Sequence, residues 1–414
     1  MCEFSNIIKS LPDMLSGKEL TEALKIVPEY AAEICNASVP LRLTALSDLY
    51  SIYIPSQMSV EIYSKLYLAL LRSVQKKGTK LAIQQQYQNH QAILQQEYSG
   101  IIGGSDSFTI IGTSGIGKSS AISRAIHLIT ENRVIEVTNP YCKVIPCIVV
   151  QCPFDSSVKG LLLEVLRKVD EVLESTYYQN ALRARATTDM LIGSVSQVAL
   201  HHIGLLVVDE IQNVANSKNG KGLIGALTQL INNSGISICM VGTPECIRFF
   251  ESAMQLARRS VGLQYTAMKY DALFQALCKM LFQYQYTQNR VEITDGMMEW
   301  LYEHSAGVTS VVVALIHDAQ EIAILNGTEV LNMESLNKAY QQRLSLLHGY
   351  IEPSVTPKKQ TSQTKKKPVG TDMATTSMIE DNVSIAEMVI RAKEPGLDIV
   401  NLLKEYFSVT EVRI

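Results

Sequence analysis

The chain has 414 residues, a hydrophobic share of 47%, a formal net charge of −3 and eight cysteines. Its length exceeds one typical domain and leaves room for sizeable cores, while the near balance of charge excludes indiscriminate nucleic-acid binding by the whole surface. Eight thiols are too sparse for a disulfide framework, no apolar run reaches the length of a membrane span, and the first residues lack a basic segment followed by an apolar one. A reducing cytoplasm is therefore the expected compartment, with no membrane partner.

Residues 1–100 carry helical periodicity rather than alternation and are expected to form a helical N-terminal extension. From Met58 to Val74, the residues Val60, Ile62, Tyr63, Leu66, Tyr67, Leu70 and Leu71 fall on one broad stripe, the pattern of a helix facing a core. Lys76, Lys77, Gly78, Thr79 and Lys80 break it, and a Gln-rich helix is predicted from Leu81 to Glu97. The basic turn has two readings, a solvated loop or a contact to phosphate backbone. Gly100, Gly103 and Gly104 mark the junction to the next unit.

Residues 101–269 read as a nucleotide-binding core. Phe108 to Ile111 is a short apolar strand, Ala121 to Ile129 a helix, and between them Gly112, Thr113, Ser114, Gly115, Ile116, Gly117, Lys118, Ser119 and Ser120 fit the pattern G-x-x-x-x-G-K-[ST]. The glycines let backbone N–H groups turn inward onto phosphate oxygens, where the positive end of the following helix already favours an anion. Lys118 adds a mobile charge for the β- and γ-phosphates, and the Ser119 hydroxyl is placed to ligate Mg²⁺. ATP and Mg²⁺ are the cofactors this implies.

Ile145 to Gln151 is a second buried strand. A helix starting near Pro153 to Ser157 runs to Glu174 and carries Lys159 in its first turn, where the dipole disfavours a cation. An external anion such as DNA phosphate and plain solvation are equally good readings of that lysine. Tyr177 to Ala186 carries Arg183 and Arg185 with no acid between them, and a further helix spans Asp189 to Leu200. Cys142, Cys147 and Cys152 have regular spacing but no partner histidine, and Cys147 and Cys152 read as small core residues rather than metal ligands.

Gly204 to Glu210 describes a buried strand ending in two acids, at the edge where open α/β sheets bind their ligands. Asp209 can hold Mg²⁺ through water there, and Glu210 can orient or deprotonate an attacking water. After a loop from Asn216 to Gly222 and a helix to Asn232, a strand from Ile236 to Val241 ends in Gly242, Thr243, Pro244 and Glu245. Thr243 is a candidate to sense the γ-phosphate, or else only a helix cap before Pro244. Arg258 and Arg259 need an anionic partner and are candidates for an arginine finger presented to a neighbouring subunit. A last strand is predicted near Leu263 to Met268.

Residues 270–350 read as an all-helical lid, with helices over Val308 to Ile324 and Met333 to Leu347. Residues 351–382 include Lys358, Lys359, Lys365, Lys366 and Lys367 and read as a disordered basic linker. Residues 383–414 read as a helical tail for docking a partner. The fold class is α/β, a P-loop NTPase with a parallel five-stranded sheet, helical lid, helical N-terminal extension and flexible C-terminal tail.

With these residues in place, the chain resembles the AAA+ ATPases, and within them the TnsC-type regulators of cut-and-paste DNA transposition. The likeness rests on Ile110 to Ser120, Leu205 to Asn213, Met240 to Glu245, Ala257 to Gly262 and Gly307 to Ala323, in that order, with a looser match from Pro40. It implies an ATP-dependent ring or filament on double-stranded DNA, a homo-oligomer that joins a TnsD/TniQ-like target selector to TnsA/TnsB-like transposase subunits. Lys118 and Ser119 would hold phosphate and metal, Asp209 and Glu210 would be the Walker B pair, Thr243 sensor 1, and Arg258 or Arg259 the finger. Lys159 matches a position lining the DNA channel, with Arg183 or Arg185 near a second. Ser310 departs from the acid expected in the lid helix. The alternatives are a helicase-loader-like ATPase of the same fold and a STAND-type signalling NTPase that does not bind DNA.

Overall fold

The fold was obtained as a computed structural model, which describes residues 4–77, 80–94, 107–138, 141–215, 217–247, 250 and 262–344. The expected basic linker and helical tail lie outside the described residues. In chain order the elements are α1 (Phe4–Ser10), α2 (Gly17–Leu24), α3 (Val39–Ala45), α4 (Asp48–Ser51), α5 (Gln57–Lys76), α6 (Lys80–Ile93), β1 (Phe108–Gly112), α7 (Lys118–Thr130), β2 (Ile135–Thr138), β3 (Tyr141–Gln151), α8 (Val158–Leu173), α9 (Tyr177–Arg183), α10 (Thr188–His202), β4 (Ile203–Asp209), α11 (Gly220–Ser234), β5 (Ser237–Gly242) and β6 (Leu263–Tyr265). Four lid helices follow, Ala272–Gln283, Asp295–Ser305, Thr309–Leu325 and Met333–Arg343. No single helix among the described residues is long and apolar enough to cross a membrane.

The strands form one sheet in the order β2-β3-β4-β5-β1-β6. Five are parallel, as their near-continuous apolar runs require. Alternate residues serve opposite faces. In β4 and β5, Leu206, Val208, Ile238 and Met240 join a core with α8, α10 and α11, whereas Leu205, Val207, Cys239 and Val241 join a second core with α1, α2, α5 and α7. A sixth strand, β2, adds to the five expected. It pairs antiparallel with β3, and its Glu136 stands opposite Lys143. So short and charged a segment lacks the apolar run by which the other strands are read.

Within the basic turn after α5, Lys77 is neither solvated nor open to phosphate. Lys77 is 4% exposed, and its ammonium donates to the carbonyls of Ala199 (2.7 Å) and Leu200 (2.8 Å) in the last turn of α10. A cation at the negative end of a helix satisfies carbonyls that have no partner within the helix. In the same turn of α10, burial, with the neighbouring charges of His202 and Lys77, pushes the His201 imidazole down to about 4.

The N-terminal stretch divides between two cores. Residues of α1, α2 and α5 pack on the sheet, but Leu46, Leu49 and Ile52 are buried among the lid residues Phe274, Leu281 and Leu301. The crossing is fixed by a two-residue antiparallel bridge, Ile26 to Tyr53. Polar contacts hold the 28–54 segment to the lid. Tyr284 donates to the carbonyl of Pro28, and Tyr286 donates to Asp48 (3.0 Å). Arg42, 1% exposed, grips both carboxylate oxygens of Glu329 (2.6 and 2.7 Å) and the carbonyl of Tyr286 (3.0 Å). Hydrogen bonds from Arg42 hold the Glu329 carboxyl below its ordinary range.

Two outcomes follow from this packing. Arg42→Ala empties a buried site and leaves the half-buried Glu329 carboxylate without its partner, and is expected to lower stability by about 3 kcal/mol, more than the Arg42→Met, Glu329→Leu pair, in urea unfolding. His201 takes up a proton more readily unfolded than folded between pH 6.5 and about 4. Its contribution is therefore complete above 6.5 and is lost as pH falls, by about 3 kcal/mol. His201→Gln should flatten that part of the stability–pH curve.

Candidate nucleotide site

β1 lies between β5 and β6, and β5 lies beside β4, all parallel, so their C-terminal ends reach the same edge of the sheet. That edge receives the loop after Gly112, the acids after Val208 and the threonine after Gly242. Gly115 and Gly117 adopt φ of 80° and 93°, the left-handed region that side chains resist. Ile116, buried, pins the loop between them. α7 then starts at Lys118, so its free N–H groups face the loop.

The Lys118 ammonium donates to the loop carbonyls of Gly112 (2.6 Å) and Thr113 (2.9 Å). Burial lowers its pKa, against the opposing charges of Asp209 and Glu210. Ser119 Oγ donates to Asp209 Oδ2 at 3.4 Å, and the other Asp209 oxygen accepts from the Glu210 N–H at 2.8 Å. Glu210 itself has φ of 58°, which turns it out of the strand, and its carboxylate accepts from Gln212 Nε2. Thr243 Oγ1 donates to Glu245 (3.2 Å) and makes no side-chain cap on the helical turn that follows. Lys118, Ser119, Asp209, Glu210, Gln212 and Thr243 line one polar cavity of about 260 Å³.

A second cavity, of about 310 Å³, adjoins it across Gly115, Gly117 and Ser120. Its walls come from the 50–59 segment, including Ile52, Ile54 and Met58, from Tyr265 at the end of β6 and Met268 after it, and from Val313 of the lid. A polar chamber opening onto an apolar one through a glycine loop can hold phosphates in the first and an aromatic base in the second. Ser119 and Asp209 offer the oxygen ligands that a hard cation takes, and Gln212 Oε1 is buried without a partner in the same chamber. The residues thus fit Mg²⁺ and its waters.

The lid reaches this site directly. Ser310 N donates to Gly115 O at 3.0 Å, and a Cβ on Gly115 would lie 2.3 Å from Ser310 Oγ. A serine, where the family pattern suggested an acid, is small enough for the first turn of the Thr309–Leu325 helix to rest on the phosphate loop. The 50–59 wall, Gln212 and Ser310 were not read from the sequence as site residues. Gln212 stood within a quoted motif, but spacing alone gives it no partner, and the wall is contributed from the other end of the chain.

The remaining candidates lie elsewhere. Lys159, exposed in the first turn of α8, donates to the carbonyl of Ala186 at 3.1 Å. Arg183 and Arg185 are exposed just before that carbonyl, so the three cations share one stretch of surface, and none lines either cavity. Burial pushes the Cys147 and Cys152 thiols up to about 12 and about 11, as small core residues require. Arg258 and Arg259 lie outside the described residues.

Residues 102–250 match the family described as AAA domain. A search of curated proteins finds no match. Among solved structures, the chain is similar to the ORC1 protein of Aeropyrum pernix in complex with DNA, at 14% identity over 63% of this chain and 64% of that one, with a TM-score of 0.42. It thus spans just under two thirds of that relative. The Drosophila ORC bound to DNA gives 14% identity over 81% and 72%, with a TM-score of 0.42. Domain III of the replication initiation protein DnaA from Thermotoga maritima gives 12% over 66% and 94%, with a TM-score of 0.35. The family match and the sheet order agree on the AAA+ P-loop fold.

The contact between lid and loop has a measurable consequence. Gly115→Ala combines a left-handed φ with the clash on Ser310, and should weaken binding of a fluorescent ATP analogue by about tenfold or more, a loss of about 1.4 kcal/mol. Gly225→Ala, where a Cβ meets nothing within 4 Å, should bind as the parent does.

Proposed function

We propose, from an AAA+ P-loop fold with an AAA domain over residues 102–250, that the chain is an ATP-hydrolysing regulator of DNA transposition of the TnsC type. The observation that carries the ATPase part is the convergence of Lys118, Ser119, Asp209, Glu210 and Thr243 on one chamber beside an apolar pocket. The DNA part is supported by the exposed cations Lys159, Arg183 and Arg185 on one surface of a chain whose net charge is −3. Assembly as a homo-oligomeric ring or filament, and the partners, a TnsD/TniQ-like selector and TnsA/TnsB-like transposase subunits, follow from the sequence resemblance.

In this reading the amides of 113–119 cradle the phosphates, and the Lys118 ammonium exchanges its loop carbonyls for phosphate oxygens. Ser119 and Asp209 would hold Mg²⁺, which would supply charge neutralisation for the phosphates. Glu210, held by Gln212, orients the attacking water and takes its proton, while Thr243 reports the γ-phosphate to the end of β5. Arg258 or Arg259 would complete the site of a neighbouring subunit. A base held between Ile52, Met58 and Val313 would tie the lid and the 50–59 segment to the loop. ATP then favours the shape that assembles on DNA, and hydrolysis releases it.

Imaging the protein with duplex DNA and a non-hydrolysable ATP analogue tests this directly. Rings or helices on DNA are expected, and monomers indifferent to DNA would point to a nucleotide-locked signalling protein instead. Glu210→Gln should cut turnover by about 10²–10⁴ while retaining ATP and lengthening the life of DNA-bound oligomers. Faster disassembly would remove Glu210 from hydrolysis.

A further inference from the structure

Between β3 and α8, Phe154 stands 87% exposed, the most exposed large hydrophobic side chain among the described residues. An exposed ring on a loose loop would mean little, but this loop is fastened on both sides. Cys152 N donates to Asp209 O (2.8 Å) and Ser156 N to Pro153 O (2.8 Å). The carbonyl of Cys152 accepts from Asn213 (2.9 Å), and that of Asp155 accepts from Ser217 (2.8 Å) and Asn219 (3.2 Å). Ser156, with a φ of 52°, is buried beneath it. The turn holds the ring in water rather than folding it back onto the nearby core.

The surroundings are cationic. Exposed Lys159 follows on α8, and exposed Arg183 and Arg185 precede the carbonyl that its ammonium binds. Lys218, also exposed, sits between the two residues that clasp Asp155, and Lys221 lies in the next turn. The acids here are Asp155, whose carboxylate accepts from Ser157 N (3.0 Å), Asp189 in the first turn of α10, and exposed Glu210, whose charge reaches the Cys152 thiol. A rigid aromatic ring among five cations suits a partner with a dense row of negative charge and stackable rings, which is nucleic acid.

We propose that Phe154 is an apolar wedge that enters a groove of duplex DNA and partly unstacks one base step, while the surrounding lysines and arginines hold the phosphates on either side. The inference rests on the DNA-binding reading above and adds to it. Cations alone grip any duplex equally, whereas a wedge favours steps that unstack cheaply, such as TA.

The test uses the full chain, an ATP analogue and duplexes carrying 2-aminopurine at successive steps. The parent protein should raise 2-aminopurine fluorescence on binding. Phe154→Ala should lose that rise and bind about tenfold more weakly, with the dependence of affinity on salt unchanged and ATP-analogue affinity intact. Phe154→Trp should restore both. Lys159→Ala should do the reverse, lowering the salt slope by about one while keeping the rise. Binding by the parent without a rise, or an undiminished rise with Phe154→Ala, overturns the wedge alone. Absence of any duplex binding by the parent overturns the DNA-binding reading and the wedge with it. Loss of oligomers without DNA in Phe154→Ala would assign the ring to a subunit joint and also overturn the wedge.

Discussion

Parallel pairing of three neighbouring strands, β4, β5 and β1, is the constraint on which the rest of the molecule depends. Parallel strands end on the same side, so a glycine loop, a pair of acids and a threonine separated by more than a hundred residues arrive together. Such pairing demands that both faces of the strands be buried. The chain meets that demand with helices on each side, and the alternation of β4 and β5 residues between the two cores shows the load carried evenly. The same burial fixes strand register, because a slip by one residue would exchange the two faces at once.

Much of this was legible in the sequence because each central strand is a compact apolar run that stops at a polar residue of distinct chemistry. Phe108 to Ile111 stops at a glycine loop and Leu205 to Val208 at Asp209. The expected helices after the loop and through the second half of the crossover also match the structure to within a few residues. The edge strand β2 escaped notice because one of its four residues is charged and its pairing is with the strand that follows it, not with a long apolar partner.

What was not legible depends on distance in sequence. Lys77 looked like a surface charge because nothing near it announces the end of α10, more than a hundred residues away, whose carbonyls it satisfies. Segment 28–54 looked like part of a single extension because its amphipathic turns do not say which core they face; Arg42 and Glu329 settle that by a pairing 287 residues apart. Ser310 looked like a missing contact, and proves to be one made through its backbone N–H instead of a side chain. Periodicity reports that a residue is inside, but only the assembled fold reports inside what.

The division of the N-terminal stretch has a mechanical consequence. Within the described residues the chain passes between the sheet core and the lid core at Ile26–Pro28, at Ile54–Ser56 and again between Tyr265 and Met268. The first two passages are strapped side by side by the Ile26–Tyr53 bridge, so they act as one pivot, and the third is a second pivot. Two pivots define an axis. The lid is therefore tethered to the sheet along one line, and a further lid contact, Ser310 N to Gly115 O, falls on the phosphate loop itself.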